Sequence, residues 1–137
     1  MRLPGMRRTP MKKRPSVNRV IDRQASEAWA WGARSKPCAV CGCGGVIEGH
    51  HLVTQQTLRK VAEATGLEFE RLRWDTRNRL SLCPRHHQAH HAGSHRVPLS
   101  VVLEHAPKLM QFVRELDRAH DGCEPVLCFV ERTYPVA

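Results

Sequence analysis

Aromatic side chains are scarce in this chain of 137 residues: three Trp, three Phe and a single Tyr. A chain this short with so few large apolar anchors buries only a modest core, and small cores generally need a staple. Acidic residues are also few, 13 against 22 Lys and Arg, which leaves a formal charge of +9 with histidine neutral. That imbalance points to a polyanionic partner. No run approaches the roughly 18 consecutive apolar residues of a membrane span. The basic N-terminal stretch leads into Arg, Asp and Gln rather than an apolar segment, so neither membrane insertion nor secretion is expected. A cytoplasmic, reducing setting follows, in which six Cys and nine His argue for metal ligation ahead of disulfides.

The charge is unevenly spread and suggests three parts. Residues 1–23 carry eight basic residues against Asp22 alone, a net of +7, together with Pro4, Pro10 and Pro15; they read as a flexible basic arm that neutralises phosphates without reading sequence. Residues 24–96 form the core and residues 97–137 a helical C-terminal extension. The last part nets −2 and is not expected to face nucleic acid.

Local patterning fills in the elements. Ser26–Arg34 has helix-forming composition, with Trp29 as a core anchor. A metal knuckle is expected at Cys38–Cys41, where Gly42, Gly44 and Gly45 permit positive φ, followed by a strand over Val46–Glu48. Residues 54–65 place Leu58, Val61 and Ala62 at helical spacing and end at Gly66, a C-cap. A basic loop around Trp74 carries Arg71, Arg73, Arg77 and Arg79. Leu80 and Leu82 alternate with Arg79 and Ser81 in a half-buried strand ending at Cys83, and PRHHQAHHAG reads as a short helix stopped by Gly93. Pro98 starts the C-terminal part, Leu109, Phe112, Val113 and Leu116 share one helical face, and VLCFVERTYPVA is expected as an edge strand. Cys123 and Cys128 read as small core residues, and His90 as a solvent-facing helical one.

Two C-x2-C/H pairs carry the clearest chemistry. Cys38 and Cys41, with Cys83 and His86, have the knuckle spacing of a tetrahedral structural zinc site; Cys43 is a competing ligand. The gap between the pairs is far longer than the roughly 12 residues of a DNA-reading finger, so the knuckles clamp the ends of a subdomain. Around this frame fall Gly49-His50-His51-Leu52, Asn78, His87 and His91. His87 and His91 are four apart and share a helical face, so both imidazoles can grip one ion.

With C-A-V-C at 38–41, G-H-H-L at 49–52 and N-R-L-S-L-C-P-R-H-H-Q-A-H-H at 78–91, residues 38–92 resemble the His-Asn-His (HNH) endonucleases, and look most like the small phage and bacterial members. The resemblance implies an α+β fold, a small zinc-stabilised ββα-metal finger with flanking helices, in a bacterial or phage-infected cell. It implies His51 as general base, His50, His87 and His91 as ligands of a catalytic divalent ion, and Asn78 as the residue orienting the base or its loop. Phosphodiester hydrolysis needs these types: an imidazole that titrates near working pH, and a cation to neutralise charge on the phosphate and leaving oxygen. The family mechanism implies a 5′-phosphate product.

Two positions depart from the commonest family pattern. His86 replaces a frequent Cys, which zinc tolerates. His50 replaces a frequent Asp, which shifts the expected ion from Mg²⁺ towards Zn²⁺, Ni²⁺, Co²⁺ or Mn²⁺. Adjacent strand residues point to opposite faces, so His50 and His51 serve one centre only at a strand end or distortion, for which Gly49 is the suggested cause. DNA is the expected substrate, held through phosphates by Arg71, Arg73, Arg77, Arg79, Arg85 and Arg96, with Arg59 and Lys60 and the arm, and with weak sequence preference because no base-reading helix is evident. Phage packaging or recombination proteins are the partners the resemblance faintly suggests. The alternative is a zinc-stabilised DNA-binding or adaptor module without cleavage.

Overall fold

The computed structural model describes residues 17–120 and 125–136, with side chains from residue 23 onward. It is helix-rich, with one small sheet. In chain order the elements are α1 (Val17–Arg34), β1 (Glu48–His50), α2 (Gln55–Thr65), α3 (Phe69–Arg73), β2 (Leu80–Leu82), α4 (Pro84–Ala92), α5 (Leu99–His105), α6 (Leu109–Ala119) and α7 (Val126–Thr133). Among the described residues no helix is long and apolar enough to cross a membrane.

The sheet is the hinge of the architecture. β1 and β2 pair antiparallel, with Glu48 opposite Leu82, Gly49 opposite Ser81 and His50 opposite Leu80. Because side chains alternate across a strand, Gly49 and Ser81 face α1 while Glu48 and His50 face α4. Ser81 donates to the Ala33 carbonyl at 2.6 Å, so β2 is buried on both faces rather than half-buried.

Gly49 is required by packing and not by backbone conformation. Among the described residues positive φ occurs only at Gly42, Gly66 and Gly93, so of the three knuckle glycines only Gly42 uses its freedom. A Cβ on Gly49 would lie 2.5 Å from the Trp29 ring. Gly49→Ala is therefore expected to force Trp29 aside and cost about 1–3 kcal/mol, the usual range for overpacking. A urea unfolding midpoint equal to wild type would show that Trp29 has room to move.

The expected glycine ends hold at α2 and α4. Gly66 closes α2 at φ 75°, with Leu58, Val61 and Ala62 buried, while Thr54 is its N-cap, accepting from the Thr57 amide, and not its first helical residue. Gly93 closes α4 at φ 74°. Four expectations change. Residues 1–16 lie outside the described residues, but α1 begins at Val17, so the boundary drawn after residue 23 falls inside a helix. The first strand sits at Glu48–His50 instead of Val46–Glu48. Part of the basic loop is the short helix α3. The C-terminal VLCFVERT is helix α7 and not an edge strand, burying Val126 and Val130 on one face; Cys128 is exposed, and Cys123 lies outside the described residues.

The C-terminal part is no appendage. One apolar cluster runs from Cys38, Leu52 and Leu80 through Val102, Phe112 and Leu116 to Val130 and Tyr134. Arg77 ties α6 to the sheet region by reaching both Asp75 at 2.9 Å and Glu115 at 2.8 Å, and the Leu99 amide donates to the Pro135 carbonyl at 2.9 Å.

Candidate metal centres and catalytic cleft

Cys38, Cys41, Cys83 and His86 come together as the spacing predicts, each offering one ligand atom within 4.8 Å of the others. The Cys41 and Cys83 sulfurs are 3.9 Å apart and the Cys38 sulfur is 3.8 Å from His86 Nδ1, with Cys83 closer at 3.1 Å. Zinc bonds of about 2.3 Å to sulfur and about 2.0 Å to nitrogen give tetrahedral edges near 3.6–3.8 Å, so the first two distances have the right size. Burial opposes ionisation of Cys38, but the amides of Cys41, Cys83 and Val40 outweigh it and bring the thiol down to about 7. A knuckle that aims backbone N–H groups at sulfur is built to hold thiolate. Cys43 is exposed and outside the four-ligand group; neighbouring Cys41 pushes its thiol up to about 12.

The second cluster joins β1 to α4. His50, His87 and His91 each place a ring nitrogen within 4.8 Å of the others. His87 Nε2 and His91 Nε2 face each other at 3.0 Å, while His87 donates its Nδ1 proton to Glu48 at 2.6 Å. A carboxylate behind a histidine fixes its tautomer and leaves the far nitrogen as a lone pair, the arrangement that supports a metal ligand. Burial, reinforced by His90, His87, His91 and His51, holds His50 well below the ordinary histidine range, and burial followed by His87 lowers His91, both in the direction that favours the neutral imidazole a cation needs. The donor set fits a divalent ion of the borderline kind that imidazole prefers.

His51 lies just past the strand end and turns the other way. Its ring stacks on Trp29 with centroids 4.1 Å apart and planes 14° from parallel, and Trp74 flanks it at 5.7 Å. Nε2 is 3.0 Å from the Arg73 carbonyl. A carbonyl only accepts, so Nε2 carries the proton and Nδ1 is the free base nitrogen. Burial lowers the pKa of His51, with the Arg73 carbonyl opposing it. His50, His51, His87 and His91 line one cleft of about 500 Å³ together with Trp74 and Arg34. The two adjacent histidines reach one cleft because His50 ends the strand, not because Gly49 distorts it.

Asn78 acts on the loop and not on the imidazole. Fully buried, it accepts from the Val53 amide at 2.6 Å and donates to the Val53 carbonyl at 3.0 Å, pinning the segment that follows His51. The arginines divide. Arg73 pairs with Glu70 at 3.5 Å and lies over Trp74, Arg77 is held by two carboxylates, and Arg79 donates to the Trp29 carbonyl at 3.1 Å. Arg71, Arg85 and Arg96 are exposed, Arg71 beside Glu68 at 3.6 Å.

His90 is buried, contrary to the solvent-facing expectation. The Val97 amide donates to its Nδ1 at 3.0 Å, and its ring stacks on Tyr134 at 5.2 Å. Burial, then the charges of His91, Arg96 and His87, pulls it from 6.5 down to about 4. Between those values the unfolded chain binds the extra proton, so stability rises with pH there. The contribution is intact above pH 6.5 and lost as pH falls towards about 4. Urea midpoints of protein freed of metal at the histidine cluster are expected to fall across this window, and His90→Asn to flatten the fall; an unchanged slope would assign it to other groups.

Sequence reasoning missed three residues of the site. Glu48 was findable, since two residues before His50 in a strand means the same face. Trp74 was noted without a role. Tyr134 reaches His50 Nε2 at 2.9 Å from 84 positions away, and no local signal marks it.

Two Cys/His clusters are mounted on a strand pair and the helix that follows it, one of four residues and one of three opening to a cleft, and each could hold a metal ion. Residues 38–95 match the family model described as HNH endonuclease. The match supports nuclease activity in general and a nucleic-acid substrate, and HNH domains generally use a divalent metal. No curated protein and no solved structure gives a significant match to the chain.

Proposed function

We propose that this chain is a metal-dependent DNA endonuclease built on a ββα-metal unit, β1, β2 and α4, with a structural zinc at Cys38, Cys41, Cys83 and His86. The observation that carries the reading is the pairing of His51, whose Nδ1 is left as a free base by the Arg73 carbonyl, with three clustered imidazoles lining the same cleft. A structural scaffold needs neither.

A divalent cation held by His50, His87 and His91 supplies, when bound, neutralisation of charge on the phosphate and the departing 3′ oxygen. His51 takes the proton from the attacking water at Nδ1. Trp29 fixes the plane of that ring, the Arg73 carbonyl its tautomer, and Asn78 the backbone behind it. Glu48 orients His87. Exposed Arg71, Arg85 and Arg96, with Arg34 at the cleft, meet the phosphates. Arg73, Arg77 and Arg79 spend their donors on the protein itself and contribute positive potential more than direct contacts. None of these reads base edges, so sequence preference is weak.

The test is cleavage of supercoiled plasmid by protein stripped at the histidine cluster and resupplied separately with Mg²⁺, Mn²⁺, Ni²⁺ and Zn²⁺. Cleavage with a transition metal and little with Mg²⁺ is expected, from the three-imidazole set. Full activity with Mg²⁺ alone would overturn the metal preference. A plasmid shifted in the gel but never cut would favour the DNA-binding adaptor.

A further inference from the structure

We propose that Tyr134, 39 residues beyond the end of the matched segment, is a positioning residue for the metal: its hydroxyl holds His50 as the Nε2–H tautomer and so presents Nδ1 as the ligand lone pair. This rests on His50, His87 and His91 being the divalent-metal site.

Proton counting at one oxygen carries the argument. The Tyr134 hydroxyl lies within hydrogen-bond reach of the Leu52 carbonyl and 2.9 Å from His50 Nε2. A phenol has one proton and a carbonyl can only accept, so that proton goes to Leu52. The remaining contact is satisfied only if His50 donates from Nε2. A phenol ionises only near pH 10, so near neutral pH it keeps its proton. Neutral imidazole carries one N–H, which leaves His50 Nδ1 unprotonated.

The arrangement is rigid. Tyr134 is 1% exposed and His50 2%, the tyrosine ring stacks on His90 with planes 10° from parallel, and the Tyr134 amide donates to the Val130 carbonyl at 3.0 Å. Glu48 sets His87 from one side and Tyr134 sets His50 from the other. A hydrogen bond behind a ligating histidine raises its basicity and fixes its aim, and losing it typically weakens metal binding about 10-fold to 100-fold.

The experiment uses the full chain with the cysteine-site metal retained and the histidine cluster vacated by a weak chelator. Long-range ¹H–¹⁵N correlation of the histidine rings at pH 7.5 is expected to show His50 protonated at Nε2, a readout that needs no variant. Calorimetric titration with Ni²⁺ is expected to give one histidine-cluster site, weakened about 10-fold to 100-fold in Tyr134→Phe. Val130→Ala, which loosens the same helix without touching His50, is expected to leave Ni²⁺ affinity unchanged. His50 protonated at Nδ1 in the wild type, equal affinity in Tyr134→Phe, or equal losses in the two variants would overturn the role of Tyr134 while leaving the metal site standing. No Ni²⁺ binding to the wild-type cluster would overturn the site itself, and this inference with it.

Discussion

Replacing His51 with alanine is expected to slow plasmid cleavage by about 10²-fold or more, the usual contribution of a positioned general base, or at least about 2.7 kcal/mol of transition-state stabilisation. Ni²⁺ affinity at the histidine cluster is expected to stay close to wild type. The ring touches Trp29 and the Arg73 carbonyl and is none of the three clustered imidazoles. Removing it opens a space against Trp29, so the variant also loses some stability, read independently by urea unfolding. Exogenous imidazole is expected to restore part of the lost rate by occupying that space, an effect that a merely loosened fold would not show. Cleavage by His51→Ala at the wild-type rate would remove the base assignment while leaving both metal clusters intact.

The largest structural effect is expected at the other centre. Chelating the metal from Cys38, Cys41, Cys83 and His86, or replacing Cys83 with serine, is expected to unfold the unit around β1, β2 and α4. Structural zinc contributes folding free energy directly, about 10–16 kcal/mol in small zinc peptides near neutral pH, which is as large as the whole stability of a typical domain. The four ligands join the loop before β1 to the start of α4, and the Ala39 amide donates to the Ser81 carbonyl at 2.8 Å across the same junction. Cys83 is buried and leads straight into α4, so without its ligation the two segments keep only hydrogen bonds, the Glu48–His87 pair and apolar packing to hold them. Elemental analysis of the purified chain is expected to find zinc, and circular dichroism to lose signal in step with its removal. Full helical content after the metal is gone would show that the apolar cluster suffices.

Much of this was legible in the sequence because it rests on local chemistry. C-x2-C and C-x2-H spacing places two pairs of ligands on two tight turns whatever surrounds them, and a four-residue interval puts His87 and His91 on one helical face. Gly66 caps α2 through a contact within a few residues, and the face of Leu109, Phe112, Val113 and Leu116 follows from helical period alone. The C-terminal octet failed for the same reason. VLCFVERT has the β-branched, apolar look of a strand, and it folds as α7 because packing of Val126 and Val130 overrides propensity.

The sequence by itself determined the Cys/His spacing, the basic balance and the HNH-like pattern, since each depends on residue type and short spacing. Only the tertiary structure decided which nitrogen of His50, His51 and His87 carries the proton. That choice is made by hydrogen-bond partners distant in sequence: the Arg73 carbonyl for His51, Glu48 for His87 and Tyr134 for His50. It also decided that Gly49 yields to Trp29, that Arg77 and Arg79 hold the fold together, and that the C-terminal segment belongs to the site. A protonated ring nitrogen is a property of what lies opposite it, and what lies opposite is set by packing between elements far apart in the chain.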